Sequence, residues 1–344
     1  MKTKQEVAVL ALDIGGANIK AADGEGWSWS EPFALWRSHE RLQEVLHSVI
    51  VRCPSLRLVA TMTGEIADCY PSRRVGVECI IRALRQVSSG RELGIYHLGG
   101  TICSAEVAQE QPLQVAASNW HAMARLAAFY TIQASAMVVD IGSTTTDIVV
   151  IKDRLPFPQA YTDVDRMACG ELVYTGVERT PVATTLQEAQ WQGKLRPLAS
   201  ELYATSLDVW LTLGMLKERE QHADTRETAD GRPVTQNHAR MRLARMFLAD
   251  TEDFSTKDAI EFANQCATAQ SQQVAFAIQK VSSVLGGEPE EIVLSGHGEC
   301  LARRAISRLG WSSKLISLRD VLGESLARAA PAHAVAMIAR GDLA

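Results

Sequence analysis

The chain has 344 residues, 47% hydrophobic and 22% charged, an ordinary globular composition that excludes collagen-like, coiled-coil and disordered classes. At roughly 150 residues per domain the length predicts two domains, large enough to fold without disulfide or zinc staples. With 35 basic against 40 acidic residues the net charge is −5, which offers no clustered positive field to nucleic acid or to an anionic membrane.

Seven cysteines (Cys53, Cys69, Cys79, Cys103, Cys169, Cys266 and Cys300) are scattered without a Cys-x-x-Cys pair, as expected for reduced thiols in a cytoplasmic protein. Met1–Lys4 precedes an apolar run of only six residues, Val7–Leu12, which Asp13 closes; this reads as a strand and not as a signal peptide. No run approaches the ~18 apolar residues of a membrane span. The expected partners are small molecules, with no nucleic acid and no membrane; a homo-oligomer stays open.

In chain order, Val7–Leu12, Ile19–Ala22 and the Trp-rich Trp27–Leu35 read as strands. Leu42, Val45, Leu46, Val49 and Ile50 fall on one helical face. Arg57–Met62 is a strand, Val77–Val87 a helix and Leu93–Leu98 a strand, so the order is βββαβαβ and a mixed sheet with helices on its faces follows. The pattern then restarts: Ala136–Ile141 and Thr145–Ile151 are strands around an Asp-Ile-Gly-Ser turn. Glu291–Leu294 and Lys314–Leu318 are later strands, with a helix over Cys300–Leu309 between them. Residues 180–285 read as a long helical insertion with polar loops such as Thr225–Asn237, and Ala332–Arg340 is a closing helix.

Two strand–turn–strand segments carry the chemistry. In the first, Asp13-Ile-Gly15-Gly16-Ala-Asn18-Ile-Lys20, a strand delivers an aspartate to a glycine turn where backbone can approach an anion closely. Amides, Asn18 and Lys20 supply donors, and Asp13 would hold a hydrated Mg2+ facing the same oxygens. In the second, Asp140-Ile-Gly142-Ser143-Thr144-Thr145-Thr146-Asp147, the Asp-x-Gly turn recurs with four hydroxyls and a second aspartate. Short glycine motifs are common and Thr runs also simply favour strands. Two copies 127 positions apart, at the same point of a repeated pattern, are much harder to obtain by chance.

These paired turns resemble the phosphate loops of the actin, sugar-kinase and heat-shock ATPase superfamily. The resemblance implies an α/β fold of two ribonuclease-H-like (actin-like ATPase) domains facing a cleft, 1–130 and 131–344, with the insertion in the second. The last helix, 331–344, would then be free to pack back onto the first domain. Ser295-Gly296-His297-Gly298 is similar to that superfamily's adenosine-contacting loop. The second turn more closely resembles the hydantoinase A/oxoprolinase family. Thr61–Glu65, Ala117–Trp120, Arg166–Pro181, Thr228–Pro233 and Ala239–Met241 are similar to a short branch of it that accompanies tetrahydromethanopterin-linked one-carbon metabolism.

The resemblance implies a transferase of methanofuran-type cofactor synthesis, joining a tyramine phenol to an aminomethylfuran diphosphate with release of diphosphate. Asp13 and Asp140 would share Mg2+. Asp147, Glu65 and Glu171 are further catalytic candidates, and Asp163 and His297 are alternative proton acceptors. Arg166, Arg179 and Arg232 are candidate anion clamps, since guanidinium pairs bidentately with phosphate or carboxylate. Ser143 stands where many loops of that family carry glycine. The alternative is an ATP-dependent small-molecule kinase, or a hydantoinase/oxoprolinase-like hydrolase; type III pantothenate kinases carry similar loops but lack the Arg166–Glu171 stretch. A non-catalytic nucleotide-binding regulator is a third reading. His39, His47, the Arg240/Arg242/Arg245 cluster, Trp27, Trp29, Trp36 and Cys169 are expected to be surface or packing residues.

Overall fold

The computed structural model describes residues 7–219 and 227–343; Met1–Lys4 and the start of the Thr225–Asn237 loop lie outside them. A six-stranded sheet opens the chain. β1 (Val7–Ile14) pairs antiparallel with β2 (Asn18–Ala22), which pairs with β3 (Ser28–Pro32). On the other side β1 runs parallel to β4 (Ser55–Met62), which is parallel to β5 (Glu92–Tyr96); β6 (Ile102–Ser104) closes the edge antiparallel to β5. The order is β3-β2-β1-β4-β5-β6. β1 and β4 are buried from Leu10 and Leu58 onward and read as continuous apolar runs, as central strands covered on both faces must.

The second sheet repeats the scheme. β7 (Ser135–Ile141) is antiparallel to β8 (Thr146–Lys152) and parallel to β13 (Glu291–Ser295), which is parallel to β14 (Lys314–Ser317). β9 (Leu155–Pro156) and β10 (Leu172–Val173) both pair with β8, giving the order β10-β8-β7-β13-β14. In each sheet a central strand carries aspartate at its penultimate residue and turns back through glycine into an antiparallel neighbour, with a parallel strand on its other side. Two-residue β10, in the place of β3, was not visible as a strand in the sequence.

Three large apolar cores result among the described residues, besides a small cluster of Leu207, Leu211, Val234 and Ala239 in the insertion. One lies under the first sheet with the helices Leu42–Arg52 and Arg73–Ser88, and another under the second with Thr256–Ser282 and Glu299–Leu309. The third joins the sheets. Val9, Ala11 and Val59 on one side and Ala136, Val138 and Val293 on the other enclose the helices Asn119–Tyr130 and Ala330–Arg340. Both helices are alanine-rich where they meet, which lets backbones approach closely. Ala330–Arg340 packs on β1, β2 and β4, and Arg57 donates to the Ala339 carbonyl at 3.4 Å. The two aspartate turns are thereby held in a fixed relation by a shared core.

Three expectations need correction. Residues 180–285 contain helices at Ser206–Thr212, Gln236–Arg245 and Thr256–Ser282, but also the hairpin β11 (Glu188–Trp191)–β12 (Lys194–Pro197). Its Gln192-Gly193 turn has φ of 51° and 70°, the paired positive values of a two-residue type I′ hairpin. β3 ends at Pro32, short of Leu35, because Phe33 donates to the Ala17 carbonyl and Leu35 to the Gly16 carbonyl, drawing the chain onto the first turn. Arg242 does not lie on a solvated face. It is fully buried, donates to Asp208 at 2.7 and 2.8 Å, and reaches Asp230 at 3.0 Å. A pattern of charge cannot reveal that a buried acid waits opposite.

None of the seven cysteines forms a disulfide. Among the described residues no helix is long and apolar enough to cross a membrane.

Candidate active site

β1 delivers Asp13 to the first turn almost fully buried, with its Oδ2 3.6 Å from the Lys20 ammonium and its Oδ1 without any hydrogen-bond partner. Burial pushes its carboxyl above the usual range, against the pull of Lys20. The turn is closed locally: the Gly15 amide donates to the Asn18 carbonyl at 3.0 Å, and a Cβ on Gly15 would sit 2.9 Å from that oxygen. A Cβ on Gly16 would meet nothing within 4 Å, so Gly16 faces open space.

β7 delivers Asp140 opposite Asp147 of β8. Burial, then the neighbouring Asp147 charge, push the Asp140 carboxyl up to about 6, while Lys20, Ser295 and His297 oppose the rise. Lys20 touches Asp13 of the first sheet, and its charge also acts on Asp140 of the second. Asp13 thus keeps one buried carboxylate oxygen without a donor, and Asp140 a carboxyl raised by burial. Among the described residues no three His, Cys, Asp or Glu converge as a direct metal set. The donors fit Mg2+, which commonly takes one or two carboxylates and keeps its remaining positions for water and phosphate oxygens.

The hydroxyls divide. Ser143, Thr144 and Thr145 are half-buried on the turn, with Ser143 and Thr144 oxygens 3.4 Å apart. Thr146 is fully buried and donates to the Thr175 carbonyl at 2.8 Å, so it buttresses the loop and has no proton left to offer a phosphate. The Ser143 carbonyl accepts from the Glu178 and Arg179 amides at 3.0 and 2.9 Å, and the Gly142 carbonyl from Val177 at 3.1 Å. Ser143 has no positive φ, so nothing in the backbone requires glycine there. Gly176 does the opposite: its Cβ would sit 2.6 Å from the Gly142 and Ser143 carbonyl oxygens.

Gly296 and Gly298 are demanded by contact as well. Gly296 has φ +78° and its Cβ would lie 2.1 Å from the Ile141 carbonyl oxygen, while Gly298 lies against the Ile141 side chain. His297 stands 3.6 Å from Glu178, which Arg219 also holds at 2.9 Å. Burial works against the Glu178 charge, but His297 and Arg219 together hold its carboxyl at about 2. Exposed Arg179 reaches from this loop to lie 4.6 Å over the ring of Trp36, beside the first turn.

Arg166 is not a free clamp. It is buried, donates to Asp147 at 2.8 Å and to the Glu171 carbonyl at 3.1 Å, and lies 3.9 Å over the Trp120 ring. Glu171 is fully buried and accepts from the Gln159 amide at 2.7 Å; burial raises its carboxyl. Glu171 and Arg166 thus fix Asp147. Arg232 is exposed and leans on Asp230 at 3.8 Å, within the group that surrounds Arg242.

Glu65 differs from these. It is fully buried and neither carboxylate oxygen has a hydrogen-bond partner; burial, with the Asp163 charge adding to it, pushes its carboxyl up to about 7. Asp163 pairs with Arg73 at 2.8 Å across the two halves of the chain. Arg73 and Glu178 escaped the sequence reading. Arg73 simply opens a helix, and only its ion pair with a residue 90 positions away marks it. Gln270, also unforeseen, bridges the Trp210 indole at 2.8 Å to Thr175 at 2.9 Å and the Gly176 carbonyl at 2.7 Å. Its signal was a lone amide on the apolar face of a long helix.

Two aspartate turns, one in each sheet, with Lys20 on the first and a glycine loop packed behind the second, make up the candidate site. The family model of hydantoinase/oxoprolinase matches residues 58–339, and the chain belongs to that family. It is 31% identical over 98% of its length, and 99% of the relative's, to the (4-{4-[2-(gamma-L-glutamylamino)ethyl]phenoxymethyl}furan-2-yl)methanamine synthase of Methanocaldococcus jannaschii. The enzyme of the same name from Methanococcus vannielii is 28% identical over 62% of this chain and 94% of its own. Among solved structures, a ROK family glucokinase from Streptomyces griseus with glucose and AMPPNP overlays at a TM-score of 0.49 and 11% identity, over 97% of this chain and 99% of that one.

Proposed function

We propose that this protein is a transferase of methanofuran- or methylofuran-type cofactor synthesis, condensing a tyramine phenol with a diphosphate-activated aminomethylfuran. Residues 1–130 and 131–344 form two ribonuclease-H-like domains, each built on one sheet, with 180–285 as a largely helical insertion in the second and the last helix returned to the first. The substrates meet in the cleft between the two aspartate turns. The observation that carries this reading is the repeated aspartate turn, one in each sheet, with the buried Asp13 keeping an oxygen without a donor, supported by similarity over 98% of the chain to a synthase of that name.

In the reaction the bond from the furan CH2 to the diphosphate oxygen breaks, its electron pair leaving with diphosphate. The phenol oxygen bonds to that carbon, and the phenol proton passes to a carboxylate. Lys20, the Ser143–Thr145 amides and hydroxyls and the Asn18 side-chain amide receive the leaving oxygens, as preorganised donors aimed at growing charge. Asp13 and Asp140 would hold Mg2+, which would supply charge neutralisation for the same group. Glu65, buried and without a donor, takes the phenol proton as a base whose affinity is matched to neutral pH.

Calorimetry with Mg2+ tests this. Diphosphate is expected to bind the wild type, and Asp140→Asn to weaken it about tenfold or more, roughly 1.4 kcal/mol or above; ATP and ADP should not compete. The Gly296–Gly298 loop, packed on the second turn at the head of the Glu299–Leu309 helix, favours the second reading, an ATP-dependent kinase or hydrolase. Turnover that consumes ATP and yields ADP would establish it instead.

A further inference from the structure

Beside the aspartate turns lies a second group of buried polar atoms without partners. Both Glu65 oxygens and the Trp120 indole nitrogen lack hydrogen bonds, while the nearby Arg166 Nε and Glu171 Oε2 face each other as an ion pair at 4.0 Å. Buried polar groups are overwhelmingly paired in folded proteins, so several orphans in one neighbourhood mark a place where something else supplies the partners. The neighbourhood is continuous. Trp120 lies under Arg166, and Ser118, two residues before it, meets Thr61 at 2.9 Å on the strand that leads to Glu65. Asp163, two residues after Tyr161, pairs at 2.8 Å with Arg73, on the helix whose Gly76 packs against the Glu65 backbone.

The group is also aromatic. The Trp120 and Tyr161 ring centroids are 6.3 Å apart, and His121 stands 5.4 Å from Trp120 and 6.5 Å from Tyr161. Trp120 is buried, whereas Tyr161 is half exposed and its hydroxyl makes no hydrogen bond among the described residues. His121 is held by the Tyr96 hydroxyl at 2.7 Å and cannot move freely. The exposed member of the group is Tyr161, just before the short helix that carries Asp163 and Arg166. Ala117 adopts φ +47°, a strained value for alanine, at the entry to the helix that carries Trp120.

We propose that Trp120, Tyr161 and Glu65 form the seat of the phenolic acceptor, with the ring held against Trp120 under a displaced Tyr161 and the hydroxyl donated to Glu65. The seat rests on the functional reading above and assigns it a substrate arm: an uncharged phenol on the Glu65 side, apart from the diphosphate on the Asp13–Asp140 side. Glu65 is the catalytic residue of the seat, Trp120 and Tyr161 its specificity residues. An aromatic ring between two aromatic walls gains stacking as well as burial.

The test is tyramine binding to the full chain, followed by Trp fluorescence and by saturation-transfer NMR, with and without Mg2+-diphosphate. Tyramine is expected to saturate the wild type, and phenethylamine, which lacks the hydroxyl, to bind at least tenfold more weakly. Tyr161→Ala, at an exposed position where folding is not at risk, should weaken tyramine about tenfold and leave Mg2+-diphosphate affinity unchanged. Glu65→Gln should erase the preference for tyramine over phenethylamine. Tyramine binding unaffected by either variant, or displaced by 5-(aminomethyl)furan-2-methanol at the same site, would overturn the seat. Loss of diphosphate binding with the tyramine preference intact would overturn the functional reading and leave the seat standing.

Discussion

The two aspartate turns share one local closure, the Gly15 amide on the Asn18 carbonyl and the Gly142 amide on the Thr145 carbonyl, and differ in where their outside supports come from. The first is held by segments close along the chain: Phe33 and Leu35 donate to the Ala17 and Gly16 carbonyls, Thr63 and Gly64 to that of Ile14, and a Gly16 Cβ would meet only free space. The second is gripped from farther away: amides of residues 177–179 bond its carbonyls, Gly176 lies against it, and Gly296 and Gly298 close behind it. A turn shaped by segments far along the chain transmits defects in them. The second turn is accordingly where substitutions distant in sequence should reach the site.

The harshest break is Arg166→Met. It strands the Asp147 and Glu171 carboxylates in a buried setting, and removal of one partner from a buried ion pair costs about 3–5 kcal/mol. Chemical denaturation should show a loss of that size and Mg2+-diphosphate binding should fall with it. Gly296→Ala follows at about 3 kcal/mol, since overpacking against backbone adds to an unfavourable φ; a thermal midpoint within 2 °C of wild type would contradict the tight packing behind the second turn.

Glu65 supplies a pH test. Its carboxyl is raised from 4.5 to about 7, so the folded chain holds a proton that the unfolded chain has lost. Its stabilising effect is complete below about pH 4.5 and is lost as pH rises through about 7, a change of about 3 kcal/mol at most. Denaturant midpoints of wild type against Glu65→Gln, measured from pH 4.5 to 8, should converge at low pH and diverge at high pH with the variant the more stable. If Glu65 is the base, kcat/KM of the wild type rises over the same interval. The smallest expected effect sharpens the comparison from the other side: Gly16→Ala should move stability by less than about 0.5 kcal/mol, because its Cβ meets no atom. A weakened diphosphate affinity in that variant would place the ligand in the space Gly16 leaves open.

Much of this was legible from short-range patterns. The apolar runs of β1, β4, β7 and β13 and the Asp-x-Gly turns lie within a few residues, so strand, turn and the repeat itself could be read directly. β10 could not, because two residues carry no period and become a strand only when β8 offers its free edge. Arg242 and Arg166 looked like surface or clamp arginines, since the acids that bury them are 12 and 34, or 19 and 5, positions away along the chain. Trp36 looked like packing, yet it meets Arg179 across the two halves.

By itself, then, the sequence determined the elements, the repeated aspartate turns and the family, because periodicity, glycine conformation and motif spacing are local properties of a chain. Which hydroxyl is spent, which arginine is buried, and which carboxylate is left without a donor were decided only by tertiary structure. Those outcomes depend on desolvation and on partners brought together from both sheets, and neither is encoded at any one position.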